Sequence, residues 1–359
     1  MTPELITLAG GLACGFLAGL AAQFGRLCTF AAIEDAVVAG DLRRARAWAL
    51  AVAVAIAITQ TLRALQVLDL QGNPYAYARL EVGGLVVGAT LFGVGMSLVG
   101  TCGFGALVRL GTGDLRALVA ALVLGIVAFA ATGGLLSSPR IWLSTLFTID
   151  TGHFGGPTFR SIARTYLGPL WASLPAILIP MALVTFALGS LRFLRRLRLI
   201  AASVMIGAAV AGGWVVTAGL ADPFAAPRPE SLSFVAPLGR IVLTVMGQSV
   251  SHTEFALASV VGVVLGSFAM AWFRDELRWE AFDDQREMRR YLLGAALMGI
   301  GGVLARGCTI GQGMSAASTM ALSAPVAILF MVLGARLGLY YLIEGRSILA
   351  TRIWSRRQS

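Results

Sequence analysis

A chain of 359 residues that is 57% apolar and 13% charged, with a mean hydropathy of +0.81, is too apolar for a soluble globule and is read as an integral membrane protein. Its net charge of +10 rests on arginine alone, with no lysine. This excludes a phosphate-cradling loop ending in Gly-Lys-Ser/Thr, and with it a built-in ATPase; in a membrane chain such arginines fix orientation and do not imply nucleic acid.

The N-terminus, Met1-Thr2-Pro3-Glu4, has no basic region of the kind that precedes a cleaved signal, so 5–22 is expected to be a first membrane span. Eight further runs match a hydrocarbon layer of about 30 Å: 46–66, 82–99, 116–136, 170–190, 199–219, 254–273, 290–305 and 324–342. Between them lie apolar pieces too short to cross, at 29–38, 104–110, 238–246 and 314–322, each beside a glycine or polar group and expected to be a re-entrant half-helix. Taking the spans alternately, the arginines of 43–46, 192–198, 274–290 and 346–357 fall on one side, with Arg336 left inside the last span. That bias puts the N-terminus outside and the C-terminus in the cytoplasm. Trp48, Trp171 and Trp272 stand near span ends, as interfacial anchors do.

The expected architecture is an all-α membrane protein of about nine transmembrane helices plus half-helices. A first membrane repeat, 1–136, is followed by an outer loop and connecting span, 137–198, then a second repeat with a cytoplasmic tail, 199–359. With the fifth span as connector, the two halves enter the membrane in opposite directions, an arrangement that places a substrate site near the midplane. The long loops 137–169 and 221–253 are a vestibule or lid, or plain connection. Residues 274–290 mix both signs and are expected to be a solvated loop, with docking of a cytoplasmic partner as the alternative.

The centre of this reading is Arg306-Gly307-Cys308-Thr309-Ile310-Gly311-Gln312-Gly313, a polar, glycine-dense break between apolar runs. Lipid offers no partner for free backbone groups, so such a break must line a cavity or pack inside protein. A shift of 206 positions lays Gly88, Gly93, Gly95, Cys102 and Gly105 onto Gly294, Gly299, Gly301, Cys308 and Gly311, the mark of an internal repeat. A looser echo is Arg26-Leu27-Cys28-Thr29. Each break joins a cysteine to Gly or Thr and to the start of a short helix, whose free N–H groups favour an anion. Cys28, Cys102 and Cys308 would then line one path, with Gly103, Gly105 and Gly311 leaving room and Thr101, Thr309, Gln312, Ser315 and Ser318 as neutral hydrogen-bonding candidates. Neutral thiols are weak, soft donors suited to a sulfur-bearing anion. Arg306 and Arg26 either attract anions or snorkel to the interface, and Cys14, inside the first span, is a small buried hydrophobe. The four isolated cysteines and two scattered histidines, His153 and His252, give no metal site, and no cofactor is expected.

These breaks, with Gly93-Val94-Gly95-Met96 and Gly100-Thr101-Cys102-Gly103-Phe104-Gly105, resemble the YeeE/YedE family of sulfur-transport membrane proteins, whose characterised members take up thiosulfate. The resemblance implies an hourglass-shaped helical protein with inverted halves, in which thiosulfate passes between cysteines by S–H contacts; onto this chain it carries Cys28, Cys102 and Cys308. It also implies a separate cytoplasmic sulfurtransferase of the TusA-like type as partner. The expected function is therefore a transporter or channel for thiosulfate or a related small sulfur anion, with no catalytic residue. The alternatives are a membrane persulfide-forming sulfur-transfer enzyme and a nonspecific small-solute pore.

Overall fold

The computed structural model describes residues 3–70, 72–75, 79–134, 136–154, 156–168, 171–219, 229–245 and 254–356. Residues 221–228 and 246–253 of the expected loop, with Arg228 and His252, lie outside the described residues, as does Arg357. The chain is helical: α1 (Pro3–Gly25), α2 (Thr29–Val38), α3 (Arg43–Ala64), α4 (Val82–Val99), α5 (Gly103–Gly111), α6 (Leu115–Gly133), α7 (Ser137–Thr145), α8 (Phe159–Leu167), α9 (Leu174–Leu188), α10 (Leu191–Leu194), α11 (Leu197–Gly219), α12 (Val235–Val245), α13 (Glu254–Phe273), α14 (Gln285–Leu304) and α15 (Ser323–Arg356). One short antiparallel ribbon pairs β1 (Arg79–Glu81) with β2 (Thr148–Asp150), Leu80 opposite Ile149.

Among the described residues, 7 helical stretches are long and apolar enough to cross a membrane: Glu4–Val38, Arg43–Ala64, Val82–Gly111, Leu115–Gly133, Leu197–Ala218, Phe255–Phe273 and Ser323–Ile343. Two of the nine expected spans fall short of this measure for different reasons. Leu174–Leu188 has only 15 residues, about 22 Å of helix, and α14 opens on the polar run Gln285-Arg286-Glu287-Met288-Arg289-Arg290. Short helices begin at or next to the positions read for 29–38 and 104–110, α12 begins three residues before 238–246, and at 314–322 a π-helical turn, Gly311–Ala316, takes the place of a half-helix. The loop 137–169 holds α7, β2 and α8. The mixed-charge segment is tied down, because Arg116 at the start of α6 pairs with Asp114, Glu280 and Glu287.

Outward faces are apolar, as hydrocarbon demands. Along α6, Leu115, Leu118, Leu122 and Ile126 are all exposed at helical spacing, and along α15 so are Leu329, Leu333 and Leu337. Inside, α1 packs on α13 and α11, α11 on α3, α4 between α14 and α15, and α14 on α6. The short α2 lies against α3 and α15, while α12 lies against α6 and α13.

Between apolar helices in lipid the hydrophobic effect gives no net pull, so close backbone approach at small residues holds the seams. Gly11, Gly15 and Gly19 follow one stripe of α1, and a Cβ on any of them would run into a carbonyl oxygen of α13, from Phe255, Ser259 and Val263 in turn. From α13, Gly262 and Gly266 answer against Leu12 and Phe16. At the α4–α14 crossing the contact is reciprocal. A Cβ on Gly88 would lie 2.7 Å from the Gly301 carbonyl and one on Gly301 2.5 Å from that of Gly88; Gly95 and Gly294 face each other in the same way, at 2.6 and 2.9 Å. All four are glycines of the 206-residue echo, and the shift exchanges one facing pair for the other.

Replacing Gly19 with valine should therefore overpack the α1–α13 seam by about 1–3 kcal/mol or more. Thermal unfolding in detergent should show a clear drop for Gly19→Val, whereas Gly133→Ala, where a Cβ meets nothing within 4 Å, should stay within about 0.5 kcal/mol of the parent.

Candidate functional site

Each break begins where a long helix stops. The last turn of α1 closes with Arg26 donating its N–H to Gln23 O and Leu27 to Ala22 O, and α14 closes the same way, Arg306 to Val303 O and Gly307 to Gly302 O. Both patterns are the paired terminal bonds that need a left-handed residue, usually glycine. Here that residue is arginine, with φ of 49° at Arg26 and 55° at Arg306, a choice costing on the order of 1–2 kcal/mol. What these side chains do accounts for their retention. Arg26 reaches Glu276 at 2.8 Å, and Arg306 reaches Glu81 at 2.5 Å. Arg26, donating to Glu276, holds that carboxyl below the usual carboxylate range.

The carbonyls left open at the helix ends must be satisfied within the protein. Arg274 donates to Phe24 O at 3.2 Å, Arg109 to Gly100 O at 3.1 Å, and Gln312 Nε2 to Ala305 O at 2.7 Å. Ser323 also donates to Gln312 Oε1 at 3.0 Å, so this buried amide is chiefly a structural cap. Ser315 donates to Leu232 O, and Ser318 donates to Ser315 O while accepting from the Trp214 indole; both hold the packing around the π-helical turn.

The three cysteines open the segments that follow. Cys28 and Cys102 occupy the N-cap positions of α2 and α5. Cys102 Sγ accepts the Gly105 N–H at 3.4 Å, and Cys308 Sγ accepts the Gly311 N–H at the same 3.4 Å. Gly105 and Gly311 are also where side chains would block the site. A Cβ on Gly105 would collide with the Thr101 hydroxyl and lie 3.6 Å from Cys28 Sγ; one on Gly311 would lie 2.7 Å from Ser233 Oγ and 3.4 Å from the Tyr75 hydroxyl. At Gly103 a Cβ meets only Leu124, at 3.4 Å.

Side-chain contacts join the breaks into one row. Cys28 Sγ lies 3.6 Å from Thr101 Oγ1, Cys102 Sγ lies 3.8 Å from Thr29 Oγ1, and Thr29 donates to Thr309 Oγ1 at 3.3 Å. Thr309 follows Cys308 directly, so the row runs from Cys28 through Cys102 and the threonine pair to Cys308. Cys102 and Cys308 are fully buried, while Cys28 is partly exposed. Cys28 opens into a cavity of about 420 Å³ lined also by Gln23, Arg26, Thr101, Arg109 and Glu276. Beyond the Cys308 break, a cavity of only about 30 Å³ holds Tyr75, Glu81, Arg306 and Gln312. Sequence reasoning singled out the cysteines, Thr309 and Arg306, but missed Thr29 as the link and Glu81, Glu276 and Arg274 as partners, because nothing local joins residues so distant in the chain. It also missed Arg109, whose reach back over nine residues to Gly100 depends on how α5 folds against the end of α4. Cys14 stays apart, in α1 beside Gly212. Among the described residues no group of His, Cys, Asp and Glu is placed to hold a metal ion.

The chain matches the sulphur transport family over residues 24–337. It is 28% identical over 333 residues to the thiosulfate transporter TsuA of Spirochaeta thermophila, covering 90% of this chain and 96% of that protein. It is 25% identical over 344 residues to the thiosulfate transporter TsuA of Escherichia coli, covering 90% and 91%.

The burial order sets a labelling order. In a Cys14→Ala background in sealed vesicles, a charged maleimide given access to the Glu276 side should modify Cys28 well before Cys102 or Cys308. Peptide mass spectrometry reads the rates, and equal labelling of all three would contradict the closed centre.

Proposed function

As the chain belongs to the sulphur transport family and is a multi-pass membrane protein, we propose that it carries thiosulfate, or a closely related small sulfur anion, across the membrane along the row of cysteines. The observation that carries this is the Thr29 hydroxyl, which touches both the Cys102 thiol and the Thr309 hydroxyl. That contact supports reading three breaks far apart in sequence as one route.

On this reading the two halves are inverted-topology repeats and α2, α5 and the segment after Cys308 are re-entrant. Support comes from the reciprocal glycine contacts at α4–α14 and from partners that interchange: α1 on α13 answers α11 on α3, and α4 on α15 answers α14 on α6. The N-terminus lies outside and the arginine-rich side in the cytoplasm. The anion is drawn to Arg306 at the outer mouth, moves past Cys308, the threonine pair and Cys102, and leaves by Cys28 into the cavity at Arg26. Thiols and hydroxyls are neutral donors, so each contact is weak and passage needs no covalent step. In the conformation described the centre is shut, and flux requires the Thr29–Thr309 contact to part. The two mouth ion pairs are partly exposed, 39% and 27% at Arg306–Glu81 and 70% and 27% at Arg26–Glu276. Such pairs are worth at most about 1 kcal/mol, so an arriving anion can displace either glutamate. A separate TusA-like sulfurtransferase on the cytoplasmic side is the partner that would consume the cargo.

Cys102→Ala and Cys308→Ala should each lower labelled thiosulfate uptake into reconstituted vesicles by about tenfold or more, the kinetic equivalent of ~1.4 kcal/mol, with unchanged thermal unfolding. Full uptake in the double variant would remove the cysteine route, and nitrate flux as fast as thiosulfate would indicate a nonspecific pore. Arg306→Gln should raise the KM at low ionic strength, and the difference from the parent should shrink as salt is added, since attraction at an exposed charge is screened.

A further inference from the structure

An apolar groove flanks the row of cysteines without being part of it. It runs between α2, α3, α9 and α15, has a volume of about 720 Å³, and is lined by side chains such as Ile33, Val52, Ile56, Leu183, Ile328 and Met331. Its inner wall includes Thr29 and Thr309, the hydroxyls that stand between Cys102 and Cys308. That volume falls in the range of about 300–1,000 Å³ typical of pockets that enclose a ligand.

Two groups lining this groove do not belong to an apolar surface. Arg336 is the one charged residue in the span Ser323–Ile343. It is exposed, and among the described residues it makes no ion pair. A cation within a span is costly unless it meets an anion or reaches the interface, and Arg336 stands seven residues before Ile343, about 10 Å along the helix. Trp48 stands five residues into α3, and its indole N–H is buried with no partner among the described residues. Ala36 and Val37 from the end of α2 and Ala45 from the start of α3 line the same groove. Unsatisfied donors beside an apolar slot match a molecule with an anionic, hydrogen-bond-accepting head and a long apolar tail. The bilayer supplies one at high local concentration.

We propose that this groove is a binding site for an anionic phospholipid, with its phosphate on the Arg336 guanidinium and the Trp48 N–H and one acyl chain along α3 and α15. A guanidinium offers a phosphate two parallel donors, which a zwitterionic headgroup can also use; the net charge of the headgroup decides the preference. Set against Thr29 and Thr309, the acyl chain closes the flank of the row toward the bilayer. That last consequence rests on the transport reading, whereas the lipid site does not.

The test is native mass spectrometry of the purified full chain, reconstituted in nanodiscs of phosphatidylglycerol or of phosphatidylcholine with identical acyl chains and then released into mild detergent. The parent should retain one phosphatidylglycerol and lose phosphatidylcholine, and phosphatidylglycerol should raise its unfolding temperature. Arg336→Gln should abolish the preference, Arg336→Lys should keep most of it, and Trp48→Phe, which keeps the ring but loses the N–H, should weaken it severalfold. Inorganic phosphate at millimolar concentration should give no shift. Equal retention of both lipids by the parent, or undiminished phosphatidylglycerol retention in Arg336→Gln, overturns the site. Should Arg336→Gln fail to fold, Trp48→Phe decides by the same readout. Absence of any lipid preference in the parent, with its thiosulfate uptake intact, would remove this site alone, and a parent that retains the lipid but carries no thiosulfate would remove the transport reading alone.

Discussion

The close passage of α4 against α14 at four glycines is the contact on which the centre of the molecule depends. With no Cβ at Gly88, Gly95, Gly294 or Gly301, the two backbones meet directly. Both helices then stop short, α4 at Val99 and α14 at Leu304, and the segments after them carry Cys102 and Cys308. A longer side chain at the crossing would part the helices and, with them, the two breaks. In hydrocarbon, where apolar surface gains nothing by leaving lipid, this packing has no hydrophobic substitute.

Ending α1, α4 and α14 inside the protein leaves carbonyls that need partners, and a long polar side chain reaches each of these ends. Arg274, Arg109 and Gln312 are anchored elsewhere in the chain and reach back to the open ends of α1, α4 and α14. The same need explains why the Gln312 amide is occupied, donating to Ala305 O and accepting from Ser323. Polar groups near the centre thus divide into those that hold the breaks open and those left to line the row, namely the three thiols with Thr29, Thr101 and Thr309.

On the transport reading, charge along the row is kept to its two mouths. Arginine in a left-handed position at both Arg26 and Arg306 is a costlier choice than glycine, retained at the two ends of one row and paired in each case with a glutamate from a distant part of the chain. Between these mouths the row itself is neutral. A fixed positive charge beside Cys102 would hold an anion too tightly to release it, and a negative one would exclude it. On the same reading, weak neutral donors between two displaceable ion pairs avoid both.

The sequence alone determined that this is a helical membrane chain, that three of its four cysteines sit at glycine-marked breaks, and where α2 and α5 begin, because apolar length, helix caps and glycine spacing are local properties. The 206-residue echo also pointed to Cys102 and Cys308 as equivalent positions. The α1 stripe of Gly11, Gly15 and Gly19 was there to be read at its four-residue spacing, but a span's apolarity says nothing about which face meets a neighbour. Only the tertiary structure decided that Thr29 joins two breaks, that Arg306 answers Glu81 and Arg26 answers Glu276, and that Gln312, Ser315 and Ser318 serve the packing. It also replaced the half-helix expected at 314–322 with a π-helical turn and tied the 274–290 segment to Arg116. Most of these contacts join residues tens to hundreds of positions apart, and they depend on how closely helices pack at glycine, which no local pattern of polarity encodes.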